Sequence, residues 1–237
     1  MIGNASLLYR RKHQVFHLLY ILRKSVPNIP FHFTFRPAMT YTQKDKDAVQ
    51  VEGVSLFTRH HILRQDSRLL TKTEGEGDDH QRVCLGIAFL FPPWGIVHVF
   101  NTHMSLSLKQ QDFNMREIET FITEFASNEA SHDLPVAEIL VGDMNAEPKD
   151  ARWLPRLLKA GFVDAWESYA TANRIGHPGY TFNNLYTRLS KRIDFVLVRQ
   201  RDGKAQVRNV SLYGRTQQHD EFAPSDHLAV AVDVILN

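Results

Sequence analysis

The sequence predicts a mixed α/β protein in which two β-sheets pack face to face and helices lie on the outside. Apolar residues recur at helical spacing in residues 14–23 and 107–127, so both stretches predict amphipathic helices. Short apolar or alternating runs between and after them are typical of strands. Because strands and helices alternate along the chain, we expect layered sheets covered by helices.

The N-terminal half contains one helix and several strands. The helix of residues 14–23 stops before two prolines, and alternating aromatic and polar residues predict a strand over 31–35. We interpret residues 40–48 as a polar loop and residues 51–58 as the next strand. The adjacent histidines at 60 and 61 cannot share one strand face, which indicates a loop.

An acidic, glycine-rich turn divides the next pair of strands. Residues 68–73 are expected to pair with a strand over 83–91, and residues 74–79 between them form a solvated hairpin tip. The turn lacks the spaced ligands and the closing glutamate of a calcium loop. A tight connection at residues 92–95 then leads to a strand that ends at His103.

The C-terminal half repeats the alternation. The helix of residues 107–127 presents one apolar face, which we expect to be core: Phe113, Ile118, Phe121, Ile122 and Phe125. The later predicted elements, in order, are a strand over 137–141, a helix over 150–160, a short segment over 162–166, a strand over 192–198, a polar loop around 217–221 and a last strand from 228.

Composition limits the class of protein. A length of 237 residues suggests one domain, and 43% hydrophobic residues suffice for a core. The formal net charge of +2 carries no strong nucleic-acid signal. The only cysteine, Cys84, argues for a reducing compartment, and neither a signal peptide nor a membrane-length apolar run is evident. We therefore expect an intracellular, cytoplasmic monomer without a transmembrane segment.

A short apolar run, residues 139–141, ends in Gly142, Asp143, Met144 and Asn145. Asp143 and Asn145 are separated by one residue, so in extended geometry their side chains share a face where the strand leaves the sheet. An aspartate beside a neutral amide suits a site where a hard cation and a phosphate meet. By itself the pattern is a weak signal and is more typical of an Asp/Asn turn after a strand.

Three other stretches place polar groups at strand ends. Residues 97–103 deliver His103, residues 192–198 carry Asp194, and Asp226-His227 precede the last strand. Taken singly, His103 suits a hydrogen-bonded core histidine, and Asp226-His227 suits strand entry. Their occurrence in separate parts of the chain favours one shared site.

In this order the four motifs resemble the T-H, G-D-x-N, R-I-D-[FY] and S-D-H signatures of the endonuclease/exonuclease/phosphatase superfamily, which includes deoxyribonuclease I. Residues 52–59 and 178–182 resemble two further stretches of that family. The resemblance implies a four-layer α/β/β/α sandwich with mostly antiparallel sheets. It also implies a metal-dependent hydrolase of phosphodiester or phosphomonoester bonds, with nucleic acid or a phospholipid or inositol phosphate as substrate.

The resemblance also implies roles for individual residues. Asp143 would orient or activate the attacking water, and Asn145 and His103 would bind phosphate oxygens. His227 would contact the phosphoryl group as base or transition-state stabiliser, with Asp194 fixing its tautomer. Asp226, together with Asp143, would hold Mg²⁺ or Mn²⁺.

One family feature is missing. Members begin with a strand bearing an asparagine, followed by a glutamate that is the principal metal ligand. By register this glutamate would fall near Leu8 or Tyr9, and Glu52 is a weak replacement candidate because it belongs to another strand. We therefore expect residues 1–237 to form a single domain that is N-terminally truncated, its first strand missing. Loss of the ligand itself is the other explanation.

Two functional interpretations stay open. In the first, the chain is a Mg²⁺-dependent hydrolase, for which a basic groove with aromatic residues would indicate a nuclease and an apolar patch a lipid hydrolase. In the second, it is a catalytically impaired domain that binds phosphorylated ligands without turnover.

Overall fold

The computed structural model describes residues 14–43, 48–75, 77–127, 134–173, 175–182, 189–200, 203–214 and 225–237. The helices are α1 (Gln14–Ser25), α2 (Leu108–Ser127), α3 (Leu154–Lys159) and α4 (Ala165–Ala172). The strands are β1 (His32–Gln43), β2 (Ala48–Thr58), β3 (Ile62–Leu69), β4 (Val83–Phe91), β5 (Gly95–His103), β6 (Ala137–Asp143), β7 (Phe162–Asp164), β8 (Asp194–Gln200), β9 (Ala205–Tyr213) and β10 (Ala229–Leu236).

Six strands form the main sheet in the order β3-β4-β5-β6-β8-β7. Every neighbouring pair is antiparallel except β5 and β6, which run parallel. The long α2 connection makes that pair possible, because parallel neighbours need a crossover. The C-terminal ends of β5 and β6, which carry His103 and Asp143, therefore lie side by side at the same end of the sheet.

The main sheet is buried on both faces, and β4 shows why. Cys84 and Ala88 point into a core shared with α2 and α3, whereas Leu85 and Ile87 point into a second core under β2. Alternate residues of a strand face opposite sides of a sheet, so a continuous apolar run such as β4 serves two cores. The apolar sequence of β4 is thus explained by its central position.

Two hairpins form the second layer. β1 pairs with β2, and β9 pairs with β10, each antiparallel. The first hairpin packs over β3, β4 and β5, and the second packs over β8. On the outer face of the first hairpin, Phe16 of α1 meets Phe33 edge to face. The predicted α/β/β/α layering is confirmed, and none of the described helices is long and apolar enough to cross a membrane.

Several predicted boundaries were wrong. Residues 40–43 continue β1 and pair with β2 as far as Gln43, because the backbone groups that form the ladder are the same in polar and apolar residues. The partner of β4 is Ile62–Leu69, not residues 68–73. The helix predicted over 150–160 is only Leu154–Lys159.

Two elements were not predicted at all, α4 and β9. The side chain of Asp164 accepts a hydrogen bond from the Glu167 amide and caps α4. Trp166 and Ala170 of α4 then pack on Val210 of β9. Both elements are short and weakly periodic, so their apolar faces become evident only when they meet.

Four of the five apolar positions assigned to α2 are buried, but Phe113 is 52% exposed. Phe113 and Ile118 are five residues apart, about 140° around a helix, so they cannot share one narrow stripe. Polar side chains complete the buried face instead, among them Gln111 and Asn114. The loop around 217–221 and residues 8 and 9 lie outside the described part of the chain.

Candidate active site

Three strand ends meet in register at one edge of the main sheet. His103 of β5 is the cross-strand partner of Asp143 in β6, and Asp143 is the partner of Asp194 in β8. Directly paired residues have closely spaced side chains. The pairing of β5, β6 and β8 therefore brings together three of the residues that the sequence singled out.

Gly142 allows this convergence. Its φ is +152°, and a Cβ atom at this position would lie 1.9 Å from the backbone oxygen of Thr102. No residue with a side chain fits there without separating β5 from β6. The glycine before Asp143 is thus a requirement of close backbone approach.

His227 enters the site from the chain segment before β10. Its Nδ1 lies 2.8 Å from Oδ2 of Asp194, which is a hydrogen bond. Its Nε2 lies 3.8 Å from Oδ2 of Asp143. Because Oδ2 of Asp194 accepts a hydrogen bond from Nδ1, Nε2 is directed towards Asp143 and is the atom available for chemistry.

A short segment that contains Thr181 and Phe182 holds His227 and Asp194 in place. The Thr181 hydroxyl accepts long hydrogen bonds, both 3.3 Å, from the amides of Ile193 and Asp194. The Thr181 carbonyl accepts one from the Leu228 amide, and Phe182 forms a β-bridge with His227. Sequence reasoning noted this stretch only as a resemblance and missed its positioning role.

Asn145 is fixed by its own backbone and side chain. It adopts a φ of +51°, and its amide donates to Oδ1 of Asp143 at 2.9 Å. Its Nδ2 donates to the Met104 carbonyl at 2.9 Å. The buried Gln111 donates to the Asn145 carbonyl, a contact that the sequence did not suggest. Asparagine tolerates this left-handed conformation better than most residues do.

Asp143 and His227 have shifted pKa values. Burial raises the pKa of Asp143 to about 6, against the hydrogen bond from Asn145, and the nearby charge of Asp194 adds to the rise. The hydrogen bond to Asp194 raises the pKa of His227, while partial burial opposes the rise. The site thus holds an aspartate and a histidine whose pKa values are both raised.

His103 is at the open side of the site. Its Nε2 lies 3.5 Å from Oδ2 of Asp143, and half of its side chain is exposed. Surrounding protein and the charge of Arg82 lower its pKa, to about 4. Solvent contact at an exposed ring limits such a shift, but either way the imidazole is neutral at pH 7. A neutral imidazole can donate one hydrogen bond to a phosphate oxygen.

A buried ion pair supports the His103 loop. Both Nε and Nη2 of Arg82 donate to Oδ2 of Asp78, at 3.1 and 2.9 Å. The same oxygen accepts from the Leu106 amide, three residues beyond His103. The prediction of a solvated tip is therefore wrong for Asp78, which is 8% exposed. No local signal distinguishes this aspartate from its acidic neighbours.

The site has the donor types that a hard cation requires. Among the described residues, Asp143, Asp194 and His227 each offer an atom within 4.8 Å of the others. Mg²⁺ is usually held by one or two carboxylates, with waters and substrate oxygens completing the shell. The two carboxylates fit this pattern. Asp226, predicted as a ligand, is exposed beside His227 and lies outside this group of three.

A groove leads away from the site. It has a volume of about 1140 Å³ and extends from His103 and Leu106 across β2 towards α1. Glu52, the candidate replacement ligand, lies in this groove, hydrogen-bonded to Tyr41 and to His80.

No family model matches the sequence, and no curated protein matches it. Solved structures do. An endonuclease/exonuclease/phosphatase family protein from Bacteroides thetaiotaomicron superposes with a TM-score of 0.68 at 19% identity, over 93% of this chain and 78% of that one. A mannosyl-6-phosphatase from the same organism gives 0.66 at 18% identity, over 93% and 82%.

The catalytic domain of human Nocturnin superposes with a TM-score of 0.65 at 15% identity, over 91% of this chain and 76% of that one. Identities this low establish a common fold only. The fold that the four sequence motifs implied is thus confirmed by structure. This chain has the deoxyribonuclease I-like fold of the endonuclease/exonuclease/phosphatase proteins.

Proposed function

We propose that this chain is a metal-dependent hydrolase of phosphoester bonds, with water as the nucleophile. The carrying observation is the Asp194–His227 hydrogen bond, with Nε2 of His227 directed towards Asp143. A carboxylate behind an imidazole fixes its tautomer and stabilises its charged form, which suits a histidine that exchanges protons with a reacting group. Solved structures of the same fold include a protein named as a phosphatase.

Each residue has a role that its position supports. Asp143 is desolvated and lies between His103 and His227, so it is placed to orient or deprotonate the attacking water. His227 contacts the phosphoryl group through Nε2. Asn145 and His103 donate hydrogen bonds to phosphate oxygens. Donors aimed at developing charge in a partly desolvated site are the main source of stabilisation in such reactions.

A divalent cation, Mg²⁺ or Mn²⁺, fits the carboxylates of Asp143 and Asp194, while Asp226 as a ligand rests on the family resemblance alone. When bound, it polarises phosphoryl oxygens and shields their charge. The side chains of this chain do the remaining work: they orient the water, take its proton and hold the phosphate oxygens.

The sequence has two modest clusters of basic residues, 59–68 and 191–192, and three of their arginines make contacts within the described part of the fold. Arg192 is 5% exposed and paired with Asp164 at 2.8 Å. Arg64 and Arg68 lie over the aromatic rings of Phe125 and Phe121 in α2. Nucleic-acid affinity depends mainly on accessible cations beside the backbone. A small or lipid-linked phosphoester is therefore favoured over a polynucleotide.

Activity with generic substrates tests this proposal. Hydrolysis of p-nitrophenyl phosphate and bis(p-nitrophenyl) phosphate is measured with Mg²⁺, with Mn²⁺ and with a chelator. We expect metal-dependent turnover that falls by about 10²-fold or more in Asp143→Asn and His227→Gln. Glu124→Gln, an exposed change on α2, is the matched control.

Metal-independent turnover, or full activity in both site variants, would contradict the proposal. Binding of phosphate without turnover in any sample would select the alternative, a domain that recognises phosphorylated ligands but does not hydrolyse them.

A further inference from the structure

The core-facing side of β2 changes from apolar to polar residues along the strand. Val54 and Leu56 are buried against the main sheet. Glu52 and Gln50 continue the same row, because alternate residues of a strand share a face. A carboxylate in a core-facing row is unusual, since charged side chains are rarely buried unless they are paired. The row becomes polar where the groove from His103 opens.

Glu52 is held in one orientation by two neighbours. The Tyr41 hydroxyl lies 2.9 Å from Oε1 of Glu52 and 2.7 Å from Oε1 of Gln50. Nδ1 of His80 lies 3.0 Å from Oε2 of Glu52. The side chains of Glu52 and His80 are 43% and 46% exposed, so the carboxylate is oriented yet accessible from the groove.

Partial burial works against ionisation of Glu52, but the hydrogen bonds from Tyr41 and His80 outweigh it and lower its pKa. The carboxylate therefore carries its full negative charge at neutral pH. Each of its oxygens keeps lone pairs for a further donor. It is an oriented acceptor on the groove wall.

This cluster has a fixed relation to the chemistry. Nδ2 of Asn101, two residues before His103, donates to the Ser55 carbonyl of β2 at 2.9 Å. Glu52 and His103 line the same groove. When the phosphate of a ligand contacts His103, the rest of the ligand can lie along the groove and contact Glu52.

The charges along this wall select against anions. Arg82 also lines the groove, but its side chain is 10% exposed and paired with Asp78, so the more accessible charged group on this wall is the carboxylate of Glu52. A second phosphate next to Glu52 is repelled. A neutral group rich in hydroxyls has the donors that a carboxylate accepts. The apolar side chains of Ala38 and Val54, which line the groove on the core-facing side of the first hairpin, provide surface for its carbon skeleton.

We propose that Tyr41, Glu52 and His80 form the binding subsite for the leaving group, and that this group is a neutral sugar or polyol. The inference rests on the proposed function. Water forms the new bond to phosphorus, the ester P–O bond breaks, and the departing polyol oxygen takes up a proton, so that phosphate and the free polyol result. Glu52 determines specificity and does not touch the reacting atoms.

Competition between two monoesters tests the subsite. The ratio of kcat/KM for glucose 6-phosphate to that for phenyl phosphate is measured in the wild type, Glu52→Ala and Tyr41→Phe. Glu124→Ala, a change of the same kind on α2, is the control. Hydrogen bonds to a charged group support an expected fall of about 10–100-fold for Glu52→Ala and a smaller fall for Tyr41→Phe. The control ratio is expected to stay unchanged.

An unchanged kcat/KM ratio in Glu52→Ala would overturn the proposed subsite but not the proposed function. The same holds if the wild type hydrolyses only phenyl phosphate, or if it prefers a single-stranded oligonucleotide to glucose 6-phosphate. If no substrate is hydrolysed, the proposed function fails, and calorimetry decides the subsite. Tighter binding of glucose 6-phosphate than of inorganic phosphate, with the difference lost in Glu52→Ala, would support it. Equal binding of the two would overturn it.

Discussion

Asp194 and His227 are 33 residues apart in the sequence, yet Oδ2 of the aspartate and Nδ1 of the histidine lie 2.8 Å apart. Asp194 is the first residue of β8 in the main sheet, whereas His227 precedes the second-layer strand β10. The hydrogen bond therefore connects the two layers at the site. It fixes the side chain on which the proposed chemistry depends.

Replacing Asp194 with asparagine removes the charge that orients His227. The amide is nearly the same size, so we expect the fold to persist while kcat falls by about 10²- to 10⁴-fold with little change in KM, because the imidazole loses its tautomer and charge support. Steady-state kinetics on p-nitrophenyl phosphate measure this. Asp233→Asn, an exposed aspartate of β10, is the control, and equal activity of both variants would refute the role.

Gly142→Ala is expected to be strongly destabilising, by about 3 kcal/mol or more, because the new Cβ atom meets the Thr102 backbone. Gly203→Ala is a matched control. Gly203 also has a positive φ, +69°, but nothing lies within 4 Å of its added Cβ, so only the conformational cost of about 1–2 kcal/mol applies. Urea unfolding compares the two. Equal losses would show that β5 and β6 separate easily.

The free energy of unfolding is expected to fall at acid pH because of Asp78. Its hydrogen bonds to the His80 amide and Arg82 outweigh the effect of burial and lower its pKa below the ordinary 3.8. A lowered carboxyl pKa contributes stability that is fully present above the unfolded value and is lost as pH falls from about 4 through the folded pKa. Asp78→Asn leaves Arg82 without its partner, and we expect a loss of about 3 kcal/mol at pH 7.

Urea unfolding at pH 7 and pH 3 measures both effects of Asp78→Asn. The difference between wild type and variant should shrink at pH 3. Asp66→Asn, an exposed position on β3, should show neither effect. A constant difference across this pH range would mean that the Asp78 carboxylate does not stabilise the fold through its charge.

Cation affinity should fall below pH 6. Asp143 has a pKa of about 6, so protons compete with a cation for its carboxylate in that range. Titration calorimetry with Mn²⁺ at pH 7.5 and pH 5.5 should show weaker binding at the lower pH, with proton release when binding is measured near pH 6. Asp143→Asn should abolish the pH dependence. Affinity that is constant with pH would show that Asp143 is not a ligand.

Local sequence determined the strands and the polar residues at their ends. β4, β5 and β6 are predicted from their apolar runs, and His103, Asp143 and Asp194 each stand where such a run ends or begins. These predictions hold because an apolar run and the turn residues that end it are patterns of neighbouring residues. The sequence also indicated the fold, since four motifs in order resemble one superfamily.

Tertiary structure alone decided what surrounds those residues. Glu52 was assigned to a strand by its neighbours, but its contact with His80 depends on how the first hairpin lies on the main sheet. Asp78 belongs to an acidic turn by sequence and to a buried ion pair by structure. Burial and charge pairing are sums over residues that are distant in the chain. Periodicity cannot report them, and the shifted pKa values of the site arise from them.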